Sequence, residues 1–189
     1  MRKRTLLVLL ISVLVITGGL FYLENSYSLA DTIFSQSLKG KPCALCSPEV
    51  IKKQIYLEGN TINALLNYKP LLEGHSLIVP KRHVERFENL TPDELVEIGS
   101  VISKVQQVFK KVYGKEDYVL FLQNGVAAGQ TDPQVHFHMI PRGNEGLVVV
   151  KVKLLWAFLT EALFMRKPLP PDQLATKVDT LRDAMESVK

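Results

Sequence analysis

The chain has 189 residues, of which 47% are hydrophobic and 22% are charged, and these values exclude a disordered or collagen-like protein. Its net charge is +4, but Arg2, Lys3 and Arg4 supply three of these charges, so the remainder is nearly neutral and we expect no nucleic-acid partner. Two cysteines, Cys43 and Cys46, are too few for a disulfide-rich scaffold.

The N-terminal segment favours a membrane anchor. Residues 5–23 are 19 residues without a charge, and about 20 helical residues cross a bilayer core. The positive-inside rule would keep the basic residues 2–4 in the cytoplasm and place the folded part outside it. The alternative is a cleaved signal that gives a secreted or periplasmic protein, since Ser28-Leu29-Ala30 offers small residues for a signal peptidase. A buried core helix is disfavoured because the run has no polar face.

The first elements of the folded part follow a linker. Residues 24–40 have the small and polar composition of a linker, and we expect one folded domain at 41–189. Strands are predicted at Ile62–Leu66 and Leu77–Val79, on either side of the turn sequence LLEGH.

A long helix is predicted next. Thr91 and Glu94 have the spacing of a capping box, Pro92 suits the first helical position, and Gly114 ends the helix. Its apolar stripe, at spacings of three and four, consists of Leu95, Ile98, Ile102, Val105, Phe109 and Val112. We expect this helix to be scaffold.

The last third of the chain predicts further strands and a final helix. The strands are Tyr118–Gln123, Val135–Ile140 and Leu147–Val152, and the helix is Asp172–Val188. The prediction is therefore an α+β fold, with an antiparallel sheet of about five strands and two main helices. One N-terminal transmembrane or signal helix would precede it.

The sequence QVHFHMIPR, residues 134–142, carries the chemistry and is called the histidine segment below. In a strand, Gln134, His136 and His138 would share one face. Two neighbouring imidazoles can transfer protons and attack phosphorus near neutral pH. The preceding residues 124–133, called the glycine loop, can point backbone N–H groups at a phosphate. Taken alone, an HxH pair is more typical of two half-buried, hydrogen-bonded histidines.

The wider context resembles the histidine-triad superfamily of nucleotide hydrolases and transferases. Its signature is H-φ-H-φ-H-φ-φ, with φ apolar, after a G-Q-[ST] loop, and NGVAAGQTDPQVHFHMIPR is similar to it. GHSLIVPKRHVERF, residues 74–87, resembles a second landmark strand of the family. NYKPLLEGH, residues 67–75, is similar to the fragile-histidine-triad branch of dinucleoside polyphosphate hydrolases. CALC resembles the cysteine pair of many bacterial members, so the resemblance spans Cys43 to Arg142.

The resemblance implies a role for each matching residue. His136 would be the nucleophile that attacks the α-phosphorus and forms a nucleotidyl-histidine intermediate, and His138 would contact phosphate and protonate the departing oxygen. His75 would support the histidines, and Asn67 would contact ribose. The phosphate-contacting positions would be Gln123, Gly129, Gln130 and Thr131. Such chemistry requires no cofactor, and the family is usually dimeric, so we expect a homodimer.

The chain departs from the family at the first histidine of the triad. Gln134 stands there, and an amide can form hydrogen bonds but cannot relay a proton as imidazole does. Because this position supports the attacking residue, we expect reduced or retuned activity.

A structural zinc is a second expectation, and it has rivals. Cys43, Cys46 and His83 match the ligands of zinc-bearing relatives, and the first histidine of the triad would be the fourth ligand. Gln134 is a poor substitute for that ligand. The alternatives are a local disulfide outside the cytoplasm and two buried thiols.

Two functions remain in view. The first is a nucleotide hydrolase or nucleotidyltransferase for a dinucleoside polyphosphate or nucleoside phosphoramidate. The second is a weakly active or non-catalytic nucleotide-binding module tied to a membrane, favoured by the loss at Gln134.

Overall fold

The computed structural model describes residues 15–19, 40, 42–143, 151–152, 155–156 and 167–188. The chain divides into two compact units, residues 1–41 and 42–189. In the first unit, residues 15–19 are helical and exposed. Among the described residues, no helix is both long enough and apolar enough to span a bilayer. Most of the predicted anchor at 5–23 and nearly all of the linker at 24–40 lie outside the described residues, so both stay predictions.

Among its described residues, the second unit contains five strands, three α-helices with defined bounds and helical residues at 151–152 and 155–156. Single 3-10 turns lie at Ala44–Cys46, Phe87–Asn89 and Val126–Ala128. In chain order the elements are α1 (Pro48–Gln54), β1 (Ile55–Glu58), β2 (Ile62–Leu66), β3 (Ser76–Pro80), α2 (Pro92–Tyr113), β4 (Asp117–Leu122), β5 (Phe137–Arg142) and α3 (Pro171–Glu186).

The five strands form one antiparallel sheet in the order β1-β2-β3-β5-β4. The predicted α+β fold with five antiparallel strands is confirmed, but one of the five described strands, β1, was not predicted from the sequence. Most of the predicted strand Leu147–Val152 lies outside the described residues, and its last two residues, Lys151 and Val152, are helical.

Helix α2 begins and ends as its sequence predicts. The Thr91 hydroxyl accepts the N–H of Glu94 at 3.2 Å, and the Glu94 carboxylate accepts the N–H of Thr91 at 2.8 Å. These bonds satisfy two backbone donors that a helix start leaves unpaired. At the other end, Gly114 has φ 64°, a left-handed conformation that glycine adopts without steric cost. The predicted stripe needs one correction, because Leu95 is 40% exposed.

Helices α2 and α3 cover one face of the sheet. Helices α2 and α3 pack there on residues that include Ile62, Ala64 and Met139. The opposite face carries a smaller cluster of Leu45, Leu65, Leu77 and Val79. Strand β3 lies between β2 and β5, so His75, which precedes β3, reaches His138 of β5.

The segment after β3 is fixed to the start of α2. Arg82 donates two hydrogen bonds of 2.7 Å to the carboxylate of Glu94, which is only 3% exposed. A bidentate pair of this kind holds both partners in one orientation. The backbone of residues 80–84 therefore has a defined position next to the histidine segment.

Candidate active site

Strand β5 begins later than the sequence predicts. Gln134 and His136 were expected on one strand face with His138, but the strand starts at Phe137. The N–H of Val135 donates to the carbonyl of Val84 at 2.6 Å, so this part of the histidine segment pairs with the chain after β3. The two imidazoles still meet, because the ring centroids of His136 and His138 are 4.7 Å apart.

His136 is buried and held by a backbone carbonyl. Its side chain is 5% exposed, and its Nδ1 lies 2.7 Å from the backbone oxygen of Gln134. A carbonyl oxygen only accepts hydrogen bonds, so Nδ1 carries the proton and Nε2 has the lone pair. Burial lowers the pKa of His136, against smaller opposing effects of that carbonyl and of Asp132. His136 is therefore neutral near neutral pH, which is the form that attacks phosphorus.

His138 is connected to His75, which is 1% exposed. The Nε2 of His75 lies 2.9 Å from the Nδ1 of His138. The N–H of Leu71 donates to the Nδ1 of His75 at 3.1 Å. These bonds form a chain from a backbone amide through His75 to His138.

Phe121 also belongs to this group, and the sequence analysis missed it. The strand pairing places Phe121 opposite His138, and the two rings are stacked, with centroids 4.5 Å apart and planes 7° apart. A phenylalanine in a strand is most simply predicted to be a core residue. Only the register between β4 and β5 shows that this ring covers a histidine.

The glycine loop is held by its own side chains. Gln130, predicted to contact phosphate, accepts the N–H of Gly125 at 2.6 Å and donates to the carbonyls of Glu85 and Asp132. Its side-chain amide therefore fixes the shape of the loop, while Thr131 is exposed. Gly129 has φ 89°, a left-handed conformation, and a Cβ added there would meet the end of the Gln123 side chain. The backbone conformation therefore favours glycine where Gln123 approaches the loop.

Asn67 lies beside His75. Its Oδ1 accepts the N–H of Lys69 at 2.9 Å, and its Nδ2 lies 3.4 Å from the Nδ1 of His75. The half-buried side chain therefore supports the turn that positions His75. The predicted ribose contact stays a prediction.

Gln134 fastens the histidine segment to the chain after β3. It is 1% exposed, its Nε2 donates to the carbonyls of Pro80 and Arg82, and its Oε1 accepts the N–H of Val84. These three bonds are 2.9–3.0 Å long. Where the family has histidine, this chain therefore has an amide bound to three backbone groups.

Cys43, Cys46 and His83 form the cluster that was predicted to bind zinc. The ligand atoms of Cys43, Cys46 and His83 lie within 4.8 Å of one another, but the two sulfurs are joined as a disulfide. Disulfide sulfur is not the thiolate that zinc binds. The Oε1 of Gln134 is 3.8 Å from the sulfur of Cys46 but already accepts the N–H of Val84. The residues fit zinc only after reduction, and then with three protein ligands.

Comparisons with known proteins agree with this geometry. A family model described as the HIT domain matches residues 48–145. The chain is 42% identical over 92 residues to the asymmetrical bis(5'-nucleosyl)-tetraphosphatase of Schizosaccharomyces pombe, a match that covers 49% of this chain and 50% of that protein. It is 38% identical over 109 residues to an uncharacterized HIT-like protein of Methanocaldococcus jannaschii, covering 58% of this chain and 83% of that protein.

A solved structure extends the likeness over more of the chain. A zinc-bound histidine triad family protein from Mycobacterium smegmatis superposes with a TM-score of 0.53 and covers 84% of this chain and 92% of that chain. The sequence identity of 18% makes this a likeness of fold alone. The matched part of this chain spans about half the length of the Schizosaccharomyces pombe relative.

Proposed function

The chain belongs to the HIT domain family, and from that membership we propose that it is a nucleotide hydrolase or nucleotidyltransferase acting at an α-phosphate through His136. One observation carries the proposal. His136 is buried and neutral, its Nδ1 is held by the carbonyl of Gln134, and its Nε2 has the lone pair. Because every neutral imidazole has one unprotonated nitrogen, the support comes from the place of this ring beside His138, with ring centroids 4.7 Å apart.

The proposed reaction has two steps. The Nε2 of His136 attacks the α-phosphorus and a P–N bond forms, while the bond from phosphorus to the leaving oxygen or nitrogen breaks with both electrons moving to that atom. A leaving amine also takes up a proton as it departs. Water or another acceptor then attacks the nucleotidyl-histidine, the P–N bond breaks, and His136 returns to its neutral form. When water is the acceptor, its proton passes to solvent. We expect Gln123 and the backbone of the glycine loop to contact the phosphate oxygens.

Turnover of a nucleotide panel tests the proposal. We expect diadenosine polyphosphates or adenosine phosphoramidate to be hydrolysed by the full chain, and a His136→Ala variant to lose at least ~1,000-fold in kcat. A Val96→Ala variant serves as a matched control, because that side chain is 75% exposed on helix α2. Equal rates for the full chain and His136→Ala would leave only the nucleotide-binding module.

The second candidate, a weakly active or non-catalytic module, is favoured by Gln134. A Gln134→His variant tests it, since restoring an imidazole should raise kcat if the site is a weakened enzyme. An unchanged rate would show that position 134 does not limit catalysis. Nucleotide binding without turnover in both proteins would support the module.

A homodimer is part of the proposal. Among the described strands, β4 lies at an edge of the sheet, and its Tyr118 and Leu120 are 39% and 41% exposed. An edge strand with apolar side chains can pair with the same strand of a second copy. We expect a dimer in analytical ultracentrifugation and a monomer after Leu120→Lys. A wild-type monomer at micromolar concentration would contradict this arrangement.

Zinc is proposed for the reduced protein only. Cys43, Cys46 and His83 would hold it as a structural ion, and no step of the reaction uses it. We expect about one equivalent of zinc in protein purified with a reductant, less than ~0.1 without it, and none in Cys46→Ser. Zinc bound equally under both conditions would contradict the disulfide.

We also propose that residues 5–23 anchor the domain to a membrane, with the folded part outside the cytoplasm. The uncharged run and the preceding basic residues support this orientation. A reporter fused after Lys189 should be active outside the cytoplasm and should sediment with membranes. An active reporter in the cytoplasm would refute the orientation, and release after processing near Ala30 would favour a cleaved signal.

A further inference from the structure

We propose that the site selects substrates whose leaving group departs as a weakly basic oxyanion, such as the terminal phosphate of a nucleoside polyphosphate. It would disfavour leaving groups that must first take up a proton, such as amines. This inference rests on the proposed function, because it concerns the leaving group of that nucleotidyl transfer. It is carried by the hydrogen bonds that fix the number of protons on His75 and His138.

The Nδ1 of His75 accepts a hydrogen bond from the main chain. The N–H of Leu71 points at this nitrogen from 3.1 Å. The Nδ2 of Asn67 lies 3.4 Å from it, and Asn67 is oriented by the bond from the N–H of Lys69 to its Oδ1. A proton on this Nδ1 would face the N–H of Leu71, which cannot rotate away. The Nδ1 of His75 is therefore an acceptor without a proton.

The second step follows for His138. The one proton of His75 must be on its Nε2, and from there it is donated to the Nδ1 of His138 at 2.9 Å. A proton on that Nδ1 as well would set two N–H groups against each other over the same distance. His138 therefore holds its one proton on Nε2, an atom buried within the described part of the chain. Both histidines are neutral.

The chemical consequence concerns the leaving oxygen. The sequence-based expectation was that His138 protonates it. A neutral imidazole can donate a hydrogen bond from Nε2, but losing that proton would leave a buried anion, which is strongly disfavoured. A phosphate leaving group is stable without the proton, because its second pKa is about 6. An amine is not, since it must leave as a neutral molecule and needs a general acid.

A leaving-group series on the wild-type full chain tests the inference. We would measure kcat/KM for diadenosine tetraphosphate, adenosine phosphoramidate and aryl esters of AMP with phenols of increasing pKa. The rate should fall steeply along the aryl series. The phosphoramidate should react at least ~100-fold more slowly than the tetraphosphate, because a general acid contributes ~10²–10⁴-fold.

The outcomes separate the two proposals. A flat aryl series, or a phosphoramidate rate within about tenfold of the tetraphosphate rate, would overturn this inference and leave the proposed function standing. If none of these compounds is turned over in a His136-dependent way, the proposed function fails and the inference fails with it.

Two variants at His75 test the hydrogen-bond chain itself. A glutamate there could accept from Leu71 and from a protonated Nδ1 of His138, so His138 could become a cation and a proton donor. A glutamine could accept from Leu71 and donate to His138, as His75 does. We expect His75→Glu to narrow the gap between tetraphosphate and phosphoramidate at least ~10-fold and His75→Gln to preserve it. If both folded variants had the same ratio of tetraphosphate to phosphoramidate rates, the assignment of protons would be contradicted. If either variant fails to fold, the leaving-group series on the wild-type chain decides.

Discussion

At the scale of single residues, Gln134 stands where the triad has its first histidine, and its side chain holds neighbouring backbone segments together. The amide of Gln134 bonds three backbone groups of residues 80–84 and fixes the segment that carries His136. Imidazole has only two nitrogens and could satisfy fewer of these groups. The residue therefore exchanges a proton-carrying ring for a firmer attachment of the nucleophile.

Removing that attachment should be costly. A Gln134→Ala variant would remove the side-chain hydrogen bonds to two carbonyls and one N–H, so we expect a loss of about 2–4 kcal/mol in the free energy of unfolding. Urea unfolding at neutral pH measures it. A matched Gln106→Ala variant loses a single bond to the carbonyl of Glu116 and should lose less than about 1 kcal/mol. Equal losses at both positions would contradict the role of Gln134.

Phe121 is expected to orient His138. Stacked aromatic rings are worth about 0.5–1.5 kcal/mol beyond burial, so Phe121→Leu should lower kcat by about 3- to 10-fold with little change in KM. Phe121→Tyr keeps the ring face and should retain most of the activity. If the leucine variant kept full kcat, or the tyrosine variant were equally impaired, the stack would have no part in catalysis.

At the scale of elements, helix α2 depends on its N-terminal cap. The Thr91 hydroxyl accepts a hydrogen bond from the N–H of Glu94, and the N–H of Thr91 donates one to the Glu94 carboxylate. Thr91→Ala should lower the free energy of unfolding by about 1 kcal/mol, whereas Thr91→Ser keeps the hydroxyl and should lower it far less. Thermal and urea unfolding of the three proteins give the comparison, and a neutral alanine substitution would argue against the cap.

The elements differ in how well the sequence predicts them. Strand β2 has the predicted bounds, Ile62–Leu66, because glycine and proline signals lie on both sides. Strand β1 was missed because its four residues follow α1 directly, with no turn residue to mark the change. The histidine strand was predicted two residues too early at Val135, because its apolar alternation begins before the pairing with β3 does.

At the scale of the whole molecule, the site combines local and distant information. The spacing of His136 and His138 and the glycine loop are visible in the sequence, because they belong to one short segment. The stack with Phe121 and the bond from Leu71 depend on strand register and on the path of the loop before β3. No local pattern encodes these contacts, so only the folded chain shows them.

Stability should depend on pH through His136. Burial lowers its pKa below the unfolded value of about 6.5, so the unfolded chain binds more protons once the pH falls below that value. The contribution of His136 to stability is complete above pH ~6.5 and is lost as the pH falls through the folded pKa. Hydrogen bonds with Arg82 are the main cause of the lowered pKa of Glu94. Carboxylates of this kind change the stability only below about pH 4.5, outside the range in which His136 acts.

Urea midpoints at three values between pH 5 and 7.5 would measure this dependence. We expect the midpoint of the wild-type protein to fall between pH 6.5 and 5, and His136→Gln to show a smaller fall. A midpoint that rises on acidification in this window, or an equal fall in both proteins, would show that burial of His136 is not the cause.

The bond from Leu71 to His75 has a consequence for how this chain tolerates change. Its donor is a main-chain N–H, and every standard amino acid except proline carries one. The side chain at position 71 can therefore vary widely while the protons on His75 and His138 keep their places. The proposed preference for a weakly basic leaving group would then depend on the path of the backbone and not on the side chain at position 71. A Leu71→Pro substitution would remove the N–H and, with it, this preference.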